Sequence, residues 1–163
     1  DLEARSNMMM AATFAGMGFG NSGVHIPHAN AYPIAGMVKD YRPAGYPQDE
    51  PMVPHGQSVS LTAPEAFRFS FQSAPERHLR AARLLAPDQD THNDPAEQLP
   101  SVLIDLMRDI GIPNGIGGVG YDESDVPDLV PGTMKQQRLL ATCPRSVTED
   151  DIADILTKSI ENW

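Results

Sequence analysis

Most of the chemistry that this chain can offer lies in five histidines, His25, His28, His55, His78 and His92. His25 and His28 are three residues apart and share one side of any helix that holds both. Their sequence surroundings are apolar. An imidazole buried there without a partner is costly, so something must bind it. His55 stands between Pro54 and Gly56 at the entrance to a later helix, where a stiff loop can aim it. Two neutral imidazoles from separate helices supply half of a divalent metal site. His78 follows Pro75-Glu76-Arg77 at a charged helix start and reads as a solvated face. His92 lies in a polar linker and reads as exposed; no chemical role is expected of either. The single cysteine, Cys143, precedes Pro144 with no activating base beside it and reads as a bystander.

Helices must position these groups. The spacing predicts a helix over residues 2–19 that is apolar on every face after Asn7, a pattern that belongs in a core. Gly16, Gly18 and Gly20 weaken it in isolation and fit if another backbone packs close. After a turn at Gly20-Asn21-Ser22-Gly23, a second apolar helix is expected over residues 24–38, with Pro27 tolerated in its first turn. Residues 39–54 hold four prolines and form a structured loop. Residues 56–72 are helical with a break at Pro64. Pro75 opens a helix to about Leu85, and residues 86–94 are a polar connection. Asn93 or Asp94 caps a helix whose apolar stripe runs through Leu99, Val102, Leu103, Leu106 and Ile110. Residues 111–122 are glycine-rich, but no strand leads into them, so a phosphate-cradling loop is not expected. Ser124 is read as the cap of a helix over residues 125–141. Thr148 is read as the cap of a last helix with acids in its first turn and a buried stripe of Ile152, Ile155, Leu156 and Ile160. The expected fold is all-α, a bundle of about seven helices spanning residues 1–163 as one helical domain.

Charge narrows the partners. The formal net charge is −10 over 163 residues, which argues against a nucleic-acid backbone or an anionic membrane as the main partner. One cysteine forbids an intramolecular disulfide, and a reducing, cytosol-like compartment is the default. The apolar run from Met8 to Phe19 lacks the basic start of a signal peptide and is shorter than the roughly 20 residues of a membrane span. The opening Asp1-Leu2-Glu3-Ala4-Arg5 already reads as helix, which suggests a fragment.

The order of the segments is specific. Asp1-Leu2-Glu3-Ala4-Arg5-Ser6-Asn7-Met8, Ala15-Gly16-Met17-Gly18-Phe19-Gly20, Val24-His25-Ile26-Pro27-His28, Tyr32-Pro33-Ile34-Ala35-Gly36 and Val53-Pro54-His55-Gly56 together resemble the iron-containing alcohol dehydrogenases. Ala74-Pro75-Glu76-Arg77-His78 and the Cys143-Pro144 region look like one branch, the hydroxyacid–oxoacid transhydrogenases. The resemblance implies a C-terminal helical, metal-binding domain whose N-terminal NAD(P)-binding partner domain is absent from the chain. It places two of one Asp and three His metal ligands on His28 and His55, and assigns the others to an upstream helix.

Many relatives carry a further His near the nicotinamide one turn after the position of His28; here Tyr32 stands there, as in the transhydrogenase branch. Tyr32 is therefore the candidate catalytic residue. Lys39 and Arg42 are candidate anchors for a substrate carboxylate, with a solvated loop as the competing reading. The implied cofactors are a divalent metal, Fe2+ or Zn2+, and NAD(P) held mainly by the other domain. The implied reaction passes a hydride from a hydroxy acid such as 4-hydroxybutyrate to an oxo acid such as 2-oxoglutarate through bound NAD. Two alternatives stand beside it: a general NAD(P)-dependent iron or zinc alcohol dehydrogenase, and a non-catalytic helical binding module. A homodimer of the full-length enzyme, and a cytoplasmic or, in a eukaryote, mitochondrial-matrix location, complete the expectation.

Overall fold

The computed structural model describes residues 1–88 and 92–163, and among them every regular element is helical. The helices are α1 (Leu2–Ser22), α2 (Ile26–Gly36), α3 (His55–Ser60), α4 (Ala63–Ser70), α5 (Pro75–Leu85), α6 (Gln98–Asp109), α7 (Val126–Met134), α8 (Gln137–Leu140) and α9 (Glu149–Lys158). The bundle is all-α as expected, but more finely divided. Pro64 opens α4, so α3 and α4 are separate pieces. Gln136, at φ −85° and ψ 46°, leaves helical geometry and parts α7 from α8. The middle of the polar connection expected over 86–94 lies outside the described residues.

The core forms around α2. Ile26, Ala29 and Ile34 are fully buried, and α2 packs against α3, α7 and α8. Pro33 lies inside the helix, where it removes one backbone bond and costs about 3 kcal/mol in isolation. Its buried ring seats against α7 at Gly132, where an added Cβ would come within 2.7 Å of the Pro33 Cβ. Leu129 of α7 and Ile152, Ile155 and Leu156 of α9 close the same core, each contributing roughly 1.5–3 kcal/mol by burial. The start of α9 is fixed as read. Thr148 Oγ1 accepts from the Asp151 amide at 3.2 Å, and the Thr148 amide donates to Asp151 Oδ2 at 2.8 Å.

The glycine-rich segment serves this core rather than a nucleotide. The Ile116 amide donates to the Ser159 carbonyl at 2.8 Å and the Gly117 amide to the Ile160 carbonyl at 2.9 Å. These amides satisfy carbonyls at the end of α9 that a helix leaves unpaired. The approach is tight enough that a Cβ on Gly115, at φ +63°, would lie 2.4 Å from those carbonyl oxygens.

Two expectations are corrected here. Residues 2–22 are helical, yet α1 buries none of its side chains. Met8, Met9, Met10, Phe14, Met17 and Phe19 are exposed, because no described element lies against them. The glycines Gly16, Gly18 and Gly20 likewise meet no neighbouring backbone. The turn before α7 is capped by Asp122 and not by Ser124. The Asp122 carboxylate accepts from the Ser124 amide at 2.8 Å, while Asp125 accepts from the Asp122 amide at 2.8 Å. An ionised carboxylate takes the cap more strongly than the hydroxyl two residues later.

The proline-rich loop between α2 and α3 is tied by two side chains. Arg42 donates to the carbonyls of Asp40 at 2.9 Å and Gln48 at 3.0 Å. Gln48 Nε2 donates to the carbonyls of Pro43 at 3.0 Å and Tyr46 at 2.7 Å. Tyr41 then donates to Gln57 Oε1 at 3.2 Å and fastens the loop to α3, whose first residue is His55.

Candidate metal centre and adjoining cleft

His25 precedes α2 as its N-terminal flanking residue. Its carbonyl accepts from the amides of His28 at 3.0 Å and Ala29 at 3.1 Å. His28 thus sits in the first turn of α2. His55 begins α3 behind Pro54, held there by Ser58, whose hydroxyl donates to the His55 carbonyl at 2.9 Å. The packing of α2 on α3 brings the two rings together, with centroids 5.5 Å apart and planes inclined at 62°.

Two imidazoles sharing one tetrahedral ion through bonds of about 2.0–2.1 Å have centroids about 5 Å apart, so the pair fits as half of a metal site. Burial lowers the pKa of His28 from its ordinary value, and the neighbouring His55 lowers it further. That keeps the ring neutral, the form that ligates metal. Among the described residues no group of three or more His, Cys, Asp or Glu side chains converges.

Polar ties hold α2 in place around His28. Asn30 is completely buried; its Nδ2 donates to Thr62 Oγ1 at 3.2 Å, and its Oδ1 accepts from Thr133 Oγ1 at 3.0 Å. Tyr121, on the segment leading to α7, donates to the Ile34 carbonyl at 2.7 Å. Its phenol is pushed up to about 12 by burial and by Asp125.

The remaining residues singled out from the sequence fall as follows. Tyr32 is exposed at 52% on α2, one turn beyond His28. Lys39 pairs with Asp125 at 2.6 Å, and the Arg42 guanidinium is engaged by its own loop. His92 is exposed. His78 is not on a solvated face: it is 8% exposed. Its Nδ1 donates to the Ala74 carbonyl at 2.8 Å, which leaves Nε2 to accept from the Ser70 hydroxyl at 3.1 Å. The four-residue spacing of His78 and Ala82, the buried stripe of α5, was the available signal; the charged residues between them masked it.

Beside His28 lies a cleft of about 230 Å3 lined by Gly23, Val24, His25, Pro27, His28, Val59, Ala63 and Phe67. His25 meets Phe67 edge to face at 5.9 Å. Its Nδ1 is buried with no hydrogen-bond partner. The apolar surroundings of His25 call for a partner, and the described residues supply none to that nitrogen.

Residues 1–160 match the C-terminal part of the Fe-containing alcohol dehydrogenase family. The chain belongs to that family. It is 44% identical over 165 residues to the mitochondrial hydroxyacid-oxoacid transhydrogenase of Bos taurus, covering 99% of this chain and 35% of the relative. Against the Homo sapiens protein of the same name the identity is 46%, with the same coverage. A solved 1,3-propanediol oxidoreductase superposes with a TM-score of 0.79 at 26% identity, covering 98% of this chain and 38% of that one. The chain therefore spans about a third of the length of the curated relatives it matches. Metal and NAD binding are properties of this family of oxidoreductases. Among the described residues, no helix is long and apolar enough to cross a membrane.

Proposed function

We propose that this chain is the metal-binding helical part of a hydroxyacid–oxoacid transhydrogenase. The observation that carries the reading is the meeting of His28 and His55 in a chain whose relatives bear that activity in their names. In the full-length protein, His28 and His55 donate two neutral imidazoles to a divalent ion, iron or zinc. The remaining ligands, and a nucleotide-binding domain, come from the rest of that protein. An ion held by His28 and His55 would supply Lewis acidity toward a substrate hydroxyl or carbonyl oxygen. A nicotinamide held mainly by the rest of the protein would supply the hydride chemistry.

The chain's own residues orient and hold. The ties at Asn30 and Tyr121 fix α2 and so aim His28. Tyr32, an exposed phenol on the same helix, donates a hydrogen bond to a substrate or ribose oxygen. Lys39 already pairs with Asp125, and Arg42 gives two of its donors to loop carbonyls, so a carboxylate there would share donors already in use. The location follows the mitochondrial relatives.

The test uses the full-length protein purified without added nucleotide. It converts 4-hydroxybutyrate and 2-oxoglutarate into succinate semialdehyde and 2-hydroxyglutarate. The likeness to 1,3-propanediol oxidoreductase supports a second reading, a general alcohol dehydrogenase. Strict dependence on free NAD(P), with no oxo acid able to replace it, selects that reading instead.

A further inference from the structure

The cleft beside His28 has two polar side chains, His25 and His28, and its other side chains, Val24, Pro27, Val59, Ala63 and Phe67, are apolar. Its volume of about 230 Å3 is below the roughly 300 Å3 at which sites for drug-sized ligands begin. Such a space suits a short chain with an oxygen function at each end and methylenes between.

The proton on His25 can be placed. Nδ1 is buried and unpartnered. A buried N–H with no acceptor is rarer and costlier than a buried acceptor with a free lone pair. The neutral ring therefore carries its hydrogen on Nε2. Among the described residues that nitrogen is not one of the buried unpaired atoms, and His25 itself lines the cleft, which is the space open to its N–H. Phe67, edge on at 5.9 Å, fixes the ring plane. The result is a held N–H donor at one polar point of the cleft, with the candidate metal ligand at the other.

We propose that His25 Nε2–H binds the carboxylate of the hydroxy acid or oxo acid, while the reacting oxygen lies on the His28–His55 side. His25 is then the residue that distinguishes an acid from a plain alcohol. The proposal rests on the transhydrogenase reading for the choice of acid, and on the cleft for its geometry.

Calorimetry on the metal-loaded full-length protein tests it, with 4-hydroxybutyrate and 1,4-butanediol as probes of equal length. His25→Phe keeps the aromatic ring and removes the donor. It weakens the acid by about ten- to a hundredfold, the range expected for losing a hydrogen bond to a charged group, and leaves the diol unchanged. His25→Gln restores an N–H and recovers most of the preference. Equal weakening of acid and diol, or no change for the acid, overturns the proposal. Should His25→Phe not fold, the unmutated protein decides: the His25 ring 15N resonances shift on adding the acid and not the diol, and an unmoved resonance overturns the proposal. Acid binding that depends on His25 without hydride exchange between acids sinks the transhydrogenase reading alone. Exchange without that dependence sinks the role of His25 alone.

Discussion

Thr133 on α7 donates to Asn30 on α2 across 3.0 Å in the fully buried interior. The same Asn30 reaches Thr62 at the start of α4. One amide thus joins three elements two residues from His28. Asn30→Ala leaves two buried hydroxyls unmatched, and unsatisfied buried groups cost ~1–3 kcal/mol each. A loss of about 2–4 kcal/mol in unfolding free energy is expected by urea denaturation. Thr133→Val, which removes a single bond, should cost about 1 kcal/mol.

Metal content separates the histidines. In the full-length protein, His28→Ala and His55→Ala each abolish stoichiometric metal by elemental analysis, whereas His92→Ala retains it. His78→Ala behaves differently from all three. It breaks the Ser70 and Ala74 contacts in a buried site, so it should lower stability by about 2 kcal/mol while metal stays bound. Full occupancy in either of the first two variants would show that the ligands lie elsewhere.

On the proposed reading this chain alone holds two of the metal's ligands, and no third His, Cys, Asp or Glu joins them among the described residues. Calorimetric titration with zinc should show weak binding, lost in His28→Ala. A stoichiometric site of sub-micromolar affinity would contradict the two-ligand arrangement.

The same rings set an acid limit. His25 and His28 both have pKa values below the ordinary 6.5, chiefly through burial. The unfolded chain therefore binds protons at these positions before the folded chain does. Stability is full above pH 6.5 and falls as the pH drops from there through the lowered folded values. Denaturation midpoints should be lower at pH 5.5 than at pH 7.5. In His28→Gln this pH dependence should be smaller, and an unchanged slope would remove His28 from the account.

The bundle was legible where local signals agree. Thr148 with three following acids marked α9, and the prolines of residues 39–54 marked the loop. The meeting of His28 and His55 was anticipated from resemblance, because ring separation depends on how α2 and α3 pack and no spacing rule contains that. The burial of His78 was missed because Glu76 and Arg77 dominate its neighbourhood, although a helix turns them away. Ser124 lost the cap to Asp122 because both types suit the position and only charge and backbone geometry choose between them. The unpartnered nitrogen of His25 is a purely tertiary fact.

The exposure of α1 divides the molecule by how fast its amides meet solvent. A helix that buries no side chain is held by little beyond its own backbone bonds, and isolated helices of such length are marginal in water. Gly16, Gly18 and Gly20 loosen its second half further. In deuterated buffer the α1 amides should exchange through local opening, orders of magnitude ahead of those in α2 and α9, which open only with the whole core. In this chain α1 is thus expected to open apart from the remaining helices, with the joint at Gly23, two residues before His25, which lines the cleft.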